Sequence, residues 1–413
     1  MSEWKEKTVG ELSIRISSGL TPLKSNKEFW ENPTIPWLKT DQLGEKYIFD
    51  TNTKISKEAL EQTSLRIYPE NTISIAMYGE GKTRGNLSII KAPITTNQAC
   101  CNIELDTKLA DVEYVYYYLK TQYDALRKLS SGVRKNLNSN DIKNYKIYIP
   151  ESVSFQKSIV KILTLLDSKI SVNNQINQEL EAIAKTLYDY WFVQFDFPDQ
   201  SGKTYKSSGG KMVYNPELKR EIPEGWGVDS LWNIANFYNG LAMQKYRPDT
   251  NEDDYLPVIK IREMMNGFSK DTEKARLDIP TEAVVERGDI LFSWSATLEV
   301  IIWGKERGAL NQHIFKVTSD TYPKSFIYFE LKSYLKVFKA IAELRKTTMG
   351  HITQDHLKQA KIVVPPIELI SKLDAKLQPI MLKQQILENQ NQELTQLRDW
   401  LLPMLMNGQV KVE

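Results

Sequence analysis

Apolar positions recur along this chain with two periods. Short apolar runs, Thr72–Tyr78, Asn86–Ile90, Asp289–Trp294 and Val300–Trp303, are separated by Gly, Pro and Asn, and predict strands. Two longer segments follow a seven-residue period instead. With Ile159 at position a, Leu166, Asn173, Leu180 and Leu187 share its row, while Ile162, Lys169, Ile176, Ile183 and Tyr190 occupy row d. Only Asn173 and Lys169 break the apolar pattern, so the segment predicts a coiled-coil seam rather than a wide globular face. The second segment places Leu373, Ile380, Leu387, Leu394 and Leu401 at a, with a weaker d row of Lys376, Lys383, Gln390, Leu397 and Met404. Pro379 is expected to kink or fray this second helix near its start. A helix of this kind, about 38 residues long, spans roughly 57 Å. Asn173 on a buried row fixes register at a cost in stability.

The two segments belong to one internal repeat. Asn177-Gln178-Glu179-Leu180 returns 214 positions later as Asn391-Gln392-Glu393-Leu394, and Asn97-Gln98 returns at the same interval as Asn311-Gln312. Leu129–Pro150 lies ungapped on Leu344–Pro365, Ile35–Leu43 resembles Leu256–Met264, and Trp4 and Trp226 open the two halves. Each half runs from short strands through an aromatic-rich helical stretch (Val112–Leu129, Pro323–Leu344) to a strand closing in proline at Pro150 or Pro365-Pro366, then into its long helix. The segment between the halves is rich in Gly, Ser, Lys and Pro and reads as a long, mobile connector. The predicted fold is therefore α+β. It has two similar αβ domains at 1–150 and 223–364, helical regions at 151–195 and 365–413, and a linker at 196–222. The two helices are expected to pair antiparallel between the domains, giving an approximate two-fold molecule.

Composition narrows the chemistry. Of 413 residues, 41% are hydrophobic and 26% charged, an ordinary folded balance. Lys and Arg number 54 against 52 acidic residues, so a uniformly basic nucleic-acid coat is excluded and any such contact must be local. Adjacent Cys100 and Cys101 with three scattered histidines leave no disulfide scaffold and no metal site. No long apolar run appears, and MSEWKEKTVG lacks the apolar core of a signal peptide, so a cytoplasmic protein is expected.

Catalytic motifs are missing, apart from one decoy. Ala76 to Thr83 fits a relaxed phosphate-binding loop, but Arg84-Gly85 and another strand-like run follow where a helix is required. There is no Asp/Asn-Pro-Pro-Tyr/Phe tetrapeptide, nuclease carboxylate set or Gly-x-Ser-x-Gly elbow. Recognition chemistry remains. Lys39, Asp41, Tyr78, Lys82, Arg84, Asn97, Gln98, Arg134, Lys135 and Asn136 gather at turns of the first half. Lys260, Arg262, Trp294, Asn311, Gln312, Arg345, Lys346 and His351 do so in the second. Such residues contact phosphates or base edges. Along the helices, the a and d residues Ile159, Ile162, Leu166, Asn173, Ile176, Leu180, Ile183 and Leu187 form the pairing face, with Leu373, Ile380, Leu387, Leu394, Leu397 and Leu401 opposite. Tyr188, Trp191 and Phe192 read as a partner surface.

The layout resembles the specificity subunit of type I restriction-modification systems. The resemblance spans the chain and rests on Ile222-Pro-Glu-Gly-Trp226, the basic loops leading into Pro150 and Pro365, the leucine-seamed helices and, most specifically, Leu187–Pro198 (LYDYWFVQFDFP). It implies two target-recognition domains reading the halves of a split, non-palindromic DNA site. It also implies no catalytic activity or cofactor of its own. Two methyltransferase subunits carrying S-adenosylmethionine, and ATP-dependent restriction (translocase) subunits, are the implied partners. Glu151 stands opposite Pro366, and Gln156 opposite Ser371, so docking details depart from the family pattern. Two other readings stay open on the residues alone: a coiled-coil scaffold protein, favoured by the near-neutral charge, and a nucleotide-binding protein built on Gly81-Lys82-Thr83.

Overall fold

The computed structural model describes residues 3–79, 83–129, 136–250, 254–344 and 350–410. The first half runs β1 (Trp4–Thr8), β2 (Ser13–Ser18), β3 (Ile35–Leu38), β4 (Tyr47–Ile48), β5 (Lys54–Ile55) and α1 (Lys57–Gln62). β6 (Ile73–Ala76), β7 (Leu87–Ile90), β8 (Thr95–Thr96) and β9 (Cys100–Leu105) follow. Next come α2 (Val112–Thr121), α3 (Tyr123–Lys128), α4 (Ser139–Lys143), β10 (Lys146–Pro150) and the long α5 (Val153–Tyr188), which ends in a π turn over Asp189–Val193.

The second half continues with β11 (Met212–Asn215), β12 (Arg220–Pro223), β13 (Gly227–Ser230), α6 (Leu231–Ile234) and β14 (Asn236–Asn239). After them lie β15 (Leu256–Ile259), α7 (Ile261–Asn266), β16 (Lys274–Ala275), β17 (Val284–Val285), β18 (Ile290–Ser293) and β19 (Glu299–Ile302). β20 (Gly308–Leu310), β21 (Ile314–Thr318), α8 (Lys324–Leu344), α9 (Gln354–Gln359), β22 (Lys361–Val364) and α10 (Ile367–Met406) complete the chain. Two compact units result: Met1–Lys169 with Leu394–Glu413, and Ile170–Glu393. The chain leaves the first unit within α5 and re-enters it within α10.

The first unit holds a five-stranded sheet in the order β2-β9-β6-β7-β4, a smaller sheet β5-β3-β8, and the pair β1-β10. Asp111 caps α2, its carboxylate accepting the Tyr114 N–H at 3.1 Å, and the helix buries Tyr114, Tyr117 and Leu119 in one core with Ile73, Ile75 and Ile103. Ile159 and Leu163 of α5 and Leu405 of α10 close that core. Each fully buried aliphatic side chain there is worth about 1.5–3 kcal/mol.

The second unit repeats the plan with sheets β14-β21-β18-β19 and β16-β15-β20-β17 and the pair β13-β22. The segment expected as a mobile linker differs from that reading: it is packed. Phe197 stacks on Tyr205 (4.6 Å) and on Trp226 (5.0 Å), Phe195 meets Trp226 edge-on, and β11 pairs with β12. Its Gly, Ser and Asp residues make the tight turns that fold these aromatics inward, as where Asp199 accepts the N–H groups of Ser201 and Lys203.

The helix seam corrects the sequence reading. Row a stands: Ile159, Asn173, Leu373 and Leu387 are buried, and Leu166, Leu180, Leu187, Ile380, Leu394 and Leu401 are half-buried. The accompanying row lies four residues on, not three. It comprises Leu163, Ile170, Asn177 and Ala184 on α5, with Leu377, Gln384, Asn391, Arg398 and Leu405 on α10. The expected d residues Ile162 (39% exposed), Ile176, Ile183 (53%) and Leu397 face solvent. Gln384, Asn391 and Arg398 of the true row are polar and pair with groups across the seam, whereas Asn177 keeps a buried amide oxygen without a hydrogen-bond partner. In the second unit, Asn173 donates to Asn391 at 3.0 Å, Asn391 donates to Asn174 at 2.8 Å, and Gln384 donates to Glu181 at 3.2 Å. In the first, Arg398 donates to Asp167 at 2.9 Å. In the second unit Asn173 meets Asn391 and Glu181 meets Gln384, residue numbers rising on one helix as they fall on the other, so the pairing there is antiparallel. α10 is helical through Pro379. Tyr188, Trp191 and Phe192 are not a surface: all three are buried in the second unit's core, where Tyr188 stacks on Phe329 at 4.9 Å. The π turn lets the adjacent Trp191 and Phe192 both point inward.

Candidate nucleic-acid interface

In the first unit, three backbone segments cross just beyond β6. The Met77 N–H donates to the Ala99 carbonyl at 2.8 Å, and the Met77 carbonyl accepts the Leu137 N–H at 3.1 Å. The end of β2 joins them where the Gly19 N–H donates to Cys100 at 3.2 Å. A Cβ on Gly19 would fall 2.2 Å from the Thr96 carbonyl oxygen, so only glycine permits this approach. α4 starts beside the crossing with a reciprocal cap between Asn138 and Asp141.

The second unit builds the same crossing from different residues. Trp294 N–H donates to His313 at 3.3 Å, Ile352 N–H donates to Trp294 at 2.8 Å, and Gly240 N–H donates to Ile314 at 3.0 Å. A Cβ on Gly240 would lie 2.3 Å from the Asn311 carbonyl oxygen. Thr353 and His356 form the matching cap of α9. Met77 thus corresponds to Trp294, Ala99 to His313, Leu137 to Ile352 and Gly19 to Gly240. Around Trp294 lie His313 and His351, with ring centroids 5.6 and 6.3 Å away, and the indole N–H donates to Asn239 Oδ1 at 2.9 Å. Gln312 Nε2 stands 3.5 Å from His313 Nε2. Partly exposed rings and amides on a fixed backbone can stack on bases and hydrogen-bond their edges.

The residues singled out from sequence divide accordingly. Trp294, Gln312 and His351 sit at the second crossing, and Tyr78 and Asn136 beside the first. Asn97 serves the loop itself, its Oδ1 accepting the Ala99 N–H at 3.1 Å, while Gln98 is exposed and Asn311 buried. Lys39 pairs with Asp41 at 3.8 Å, Lys260 with Glu273 at 2.5 Å, and Arg262 with the buried Glu263 at 2.6 Å, so these cations face carboxylates of their own unit. The Arg84 carbonyl accepts from Arg127 at 3.1 Å, and β7 follows it antiparallel to β6, where a phosphate-binding loop needs a helix. Lys82, Arg134, Lys135, Arg345 and Lys346 lie outside the described residues.

The type I restriction modification DNA specificity domain matches the chain over residues 1–182 and 223–396. The chain belongs to this family. Each matched stretch contains one crossing. A Methanocaldococcus jannaschii type I restriction enzyme specificity subunit (MjaIX) is 28% identical over 100% of this chain and 94% of its own length. The HindI specificity subunit of Haemophilus influenzae is 24% identical over 99% and 100%. The crystal structure of a type I restriction-modification S subunit from M. genitalium shares the fold, with TM-score 0.56, 16% identity, and coverage of 98% of this chain and 96% of that one. Among the described residues no helix is long and apolar enough to cross a membrane.

Sequence reasoning missed His313 and Asn239 in the second unit and Ser18, Met77 and Ala99 in the first. The signal was present: His313 directly follows the repeated Asn311-Gln312. It also missed the charged cluster that ties the first unit's α2 to its helix segments. There the Lys46 ammonium lies 2.9 Å from Glu113 and 3.3 Å from Asp167, and donates to the Tyr117 hydroxyl at 2.7 Å. Burial alone would raise the Asp167 carboxyl, but hydrogen bonds from Tyr117 and Arg398 and the charge of Lys46 carry it below the ordinary carboxylate range. In the second unit, burial pushes the Glu330 carboxyl up to about 7, although it accepts the Tyr188 hydroxyl at 2.6 Å. Burial likewise pushes both cysteine thiols up to about 12, so neither is a nucleophile.

Proposed function

We propose that this chain supplies DNA sequence specificity to a type I restriction-modification assembly and performs no catalysis itself. Each unit reads one half of a split duplex site. The recognition domains are residues 1–150 and 223–364, the turn residues Lys82, Arg134, Lys135, Arg345 and Lys346 supply phosphate contacts, and the crossings supply base contacts. The observation that carries this reading is the recurrence, in a member of this family, of one backbone crossing clothed with unlike side chains: Met77 and Ala99 in one unit, Trp294 and His313 in the other. Unlike readers make the site non-palindromic.

The helices that carry the chain between the units set the spacer between the half-sites, so insertion of whole heptads into both helices lengthens it. Their solvent faces supply the docking surface for two methyltransferase subunits. Ile162 and Leu165 in the first unit and Val172, Ile176, Ile183, Tyr190 and Val193 in the second are exposed apolar residues of α5 and its π turn, on the side away from the seam. S-adenosylmethionine and ATP bind those partners and the restriction subunits.

The test is a gel shift with pooled random duplex DNA, with and without the methyltransferase subunit. Retention of a sequence-selected fraction, increased by the partner, is expected. A complex that retains DNA without selecting any sequence contradicts the reading.

A further inference from the structure

The two crossings differ in the chemistry they present, and this difference goes beyond a general DNA-reading role. We propose that the accessible side chains at four equivalent backbone positions set the base preference of each unit. In the first unit these are Ser18, Ala99 and Asn136, with Met77 buried at the fourth position, and in the second they are Asn239, Trp294, His313 and His351. The inference rests on the DNA reading above. The equivalence comes from the backbone: 18 and 239 precede the two close-approach glycines, 77 and 294 follow the central strands, 99 and 313 accept their N–H groups, and 136 and 351 precede the returning donors. Because the same bonds hold both scaffolds, the side chains are what distinguishes them.

The second set is rich in donors. The Trp294 indole is held in place by its bond to Asn239 Oδ1, which leaves the Asn239 amide hydrogens to donate. Two imidazoles flank the indole, and the Gln312 amide lies beside one of them. Donors beside an aromatic face match the major-groove edge of a purine, and guanine, with two acceptors there, matches best. The first set is small and two-sided. Met77 is buried, so the side chains left at the surface are the exposed Ser18 hydroxyl, 3.0 Å from Ser139 Oγ, and the half-buried Ala99 methyl and Asn136 amide. That surface suits a thymine methyl group more than a purine edge.

The experiment uses the full chain with its methyltransferase subunits and a pool of random duplex DNA, with retained DNA sequenced. Wild type should return a two-part motif. H313A/H351A should leave one part intact and lower discrimination at one or two purine positions of the other by about tenfold. The transfer variant A99H/N136H should alter the opposite part. If H313A/H351A does not melt cooperatively, the half-buried His351→Gln gives the same readout. Retained binding with both parts unchanged overturns the inference and leaves the DNA reading standing. Loss of all retention at an unchanged melting midpoint also overturns it, since the positions would then supply affinity rather than base choice. A wild type that selects no motif overturns the DNA reading itself.

Discussion

Glu330 and Asp167 are two carboxylates whose surroundings push them in opposite directions. Glu330 is raised to about 7 by burial, so the folded second unit favours its protonated form. Its contribution to stability is complete below the ordinary carboxylate value of 4.5 and falls away as the pH rises through 7. Glu330→Gln keeps an acceptor for the Tyr188 hydroxyl and removes the titration. At pH 8 it should raise the melting midpoint by roughly 3 °C, or about 1 kcal/mol, and have little effect at pH 5. Asp167 lies below its ordinary range, so its stabilisation is present at neutral pH and is lost as the pH falls through the folded value. Asp167→Asn leaves Lys46 and Arg398 short of a charge partner. Denaturant unfolding should show the first unit weakened by on the order of 2 kcal/mol at pH 7, with the deficit shrinking in acid. Neither role was legible in the sequence, because both carboxylates sit on long-helix faces and their partners come from segments distant in the chain.

At the scale of elements, the helix seam separates what periodicity reveals from what it hides. Counting apolar positions located both helices and one of the two buried rows. It placed the second row one residue too early, because Asn177, Gln384, Asn391 and Arg398 are polar, and the cross-seam hydrogen bonds of the last three leave no trace in an apolar count. The observed frame makes a clear prediction. Ile183→Lys should leave the melting midpoint within about 1 °C, since a lone exposed substitution costs under about 0.5 kcal/mol, and should weaken capture of the methyltransferase subunit. The frame expected from sequence would instead bury that lysine. Asn173→Ala and Asn391→Ala, combined in a double-mutant cycle, should couple by about 1 kcal/mol; strict additivity would mean that the amide pair is not formed. Proline stops, strand runs and the aromatic-rich α2 and α8 were readable from composition. The packing of 196–222 was not, because turn-forming residues look alike in a flexible connector and in a folded one.

At the scale of the whole chain, the repeat was the most informative feature. The shared order of short matches predicted two similar αβ domains, and the hydrogen bonds at Met77 and Trp294 match residue for residue. The side chains that differ between the crossings could not be picked out beforehand. The loops preceding α4 and α9 have diverged, and the intervals between equivalent positions change along the chain. The central claim is that one scaffold, used twice, presents two unlike DNA-reading surfaces. Sequencing methylated adenines in cells that express this chain with its methyltransferase subunits tests it most directly. A motif in two unlike parts separated by a fixed gap is expected; a palindromic motif, or an uninterrupted one, would contradict the claim.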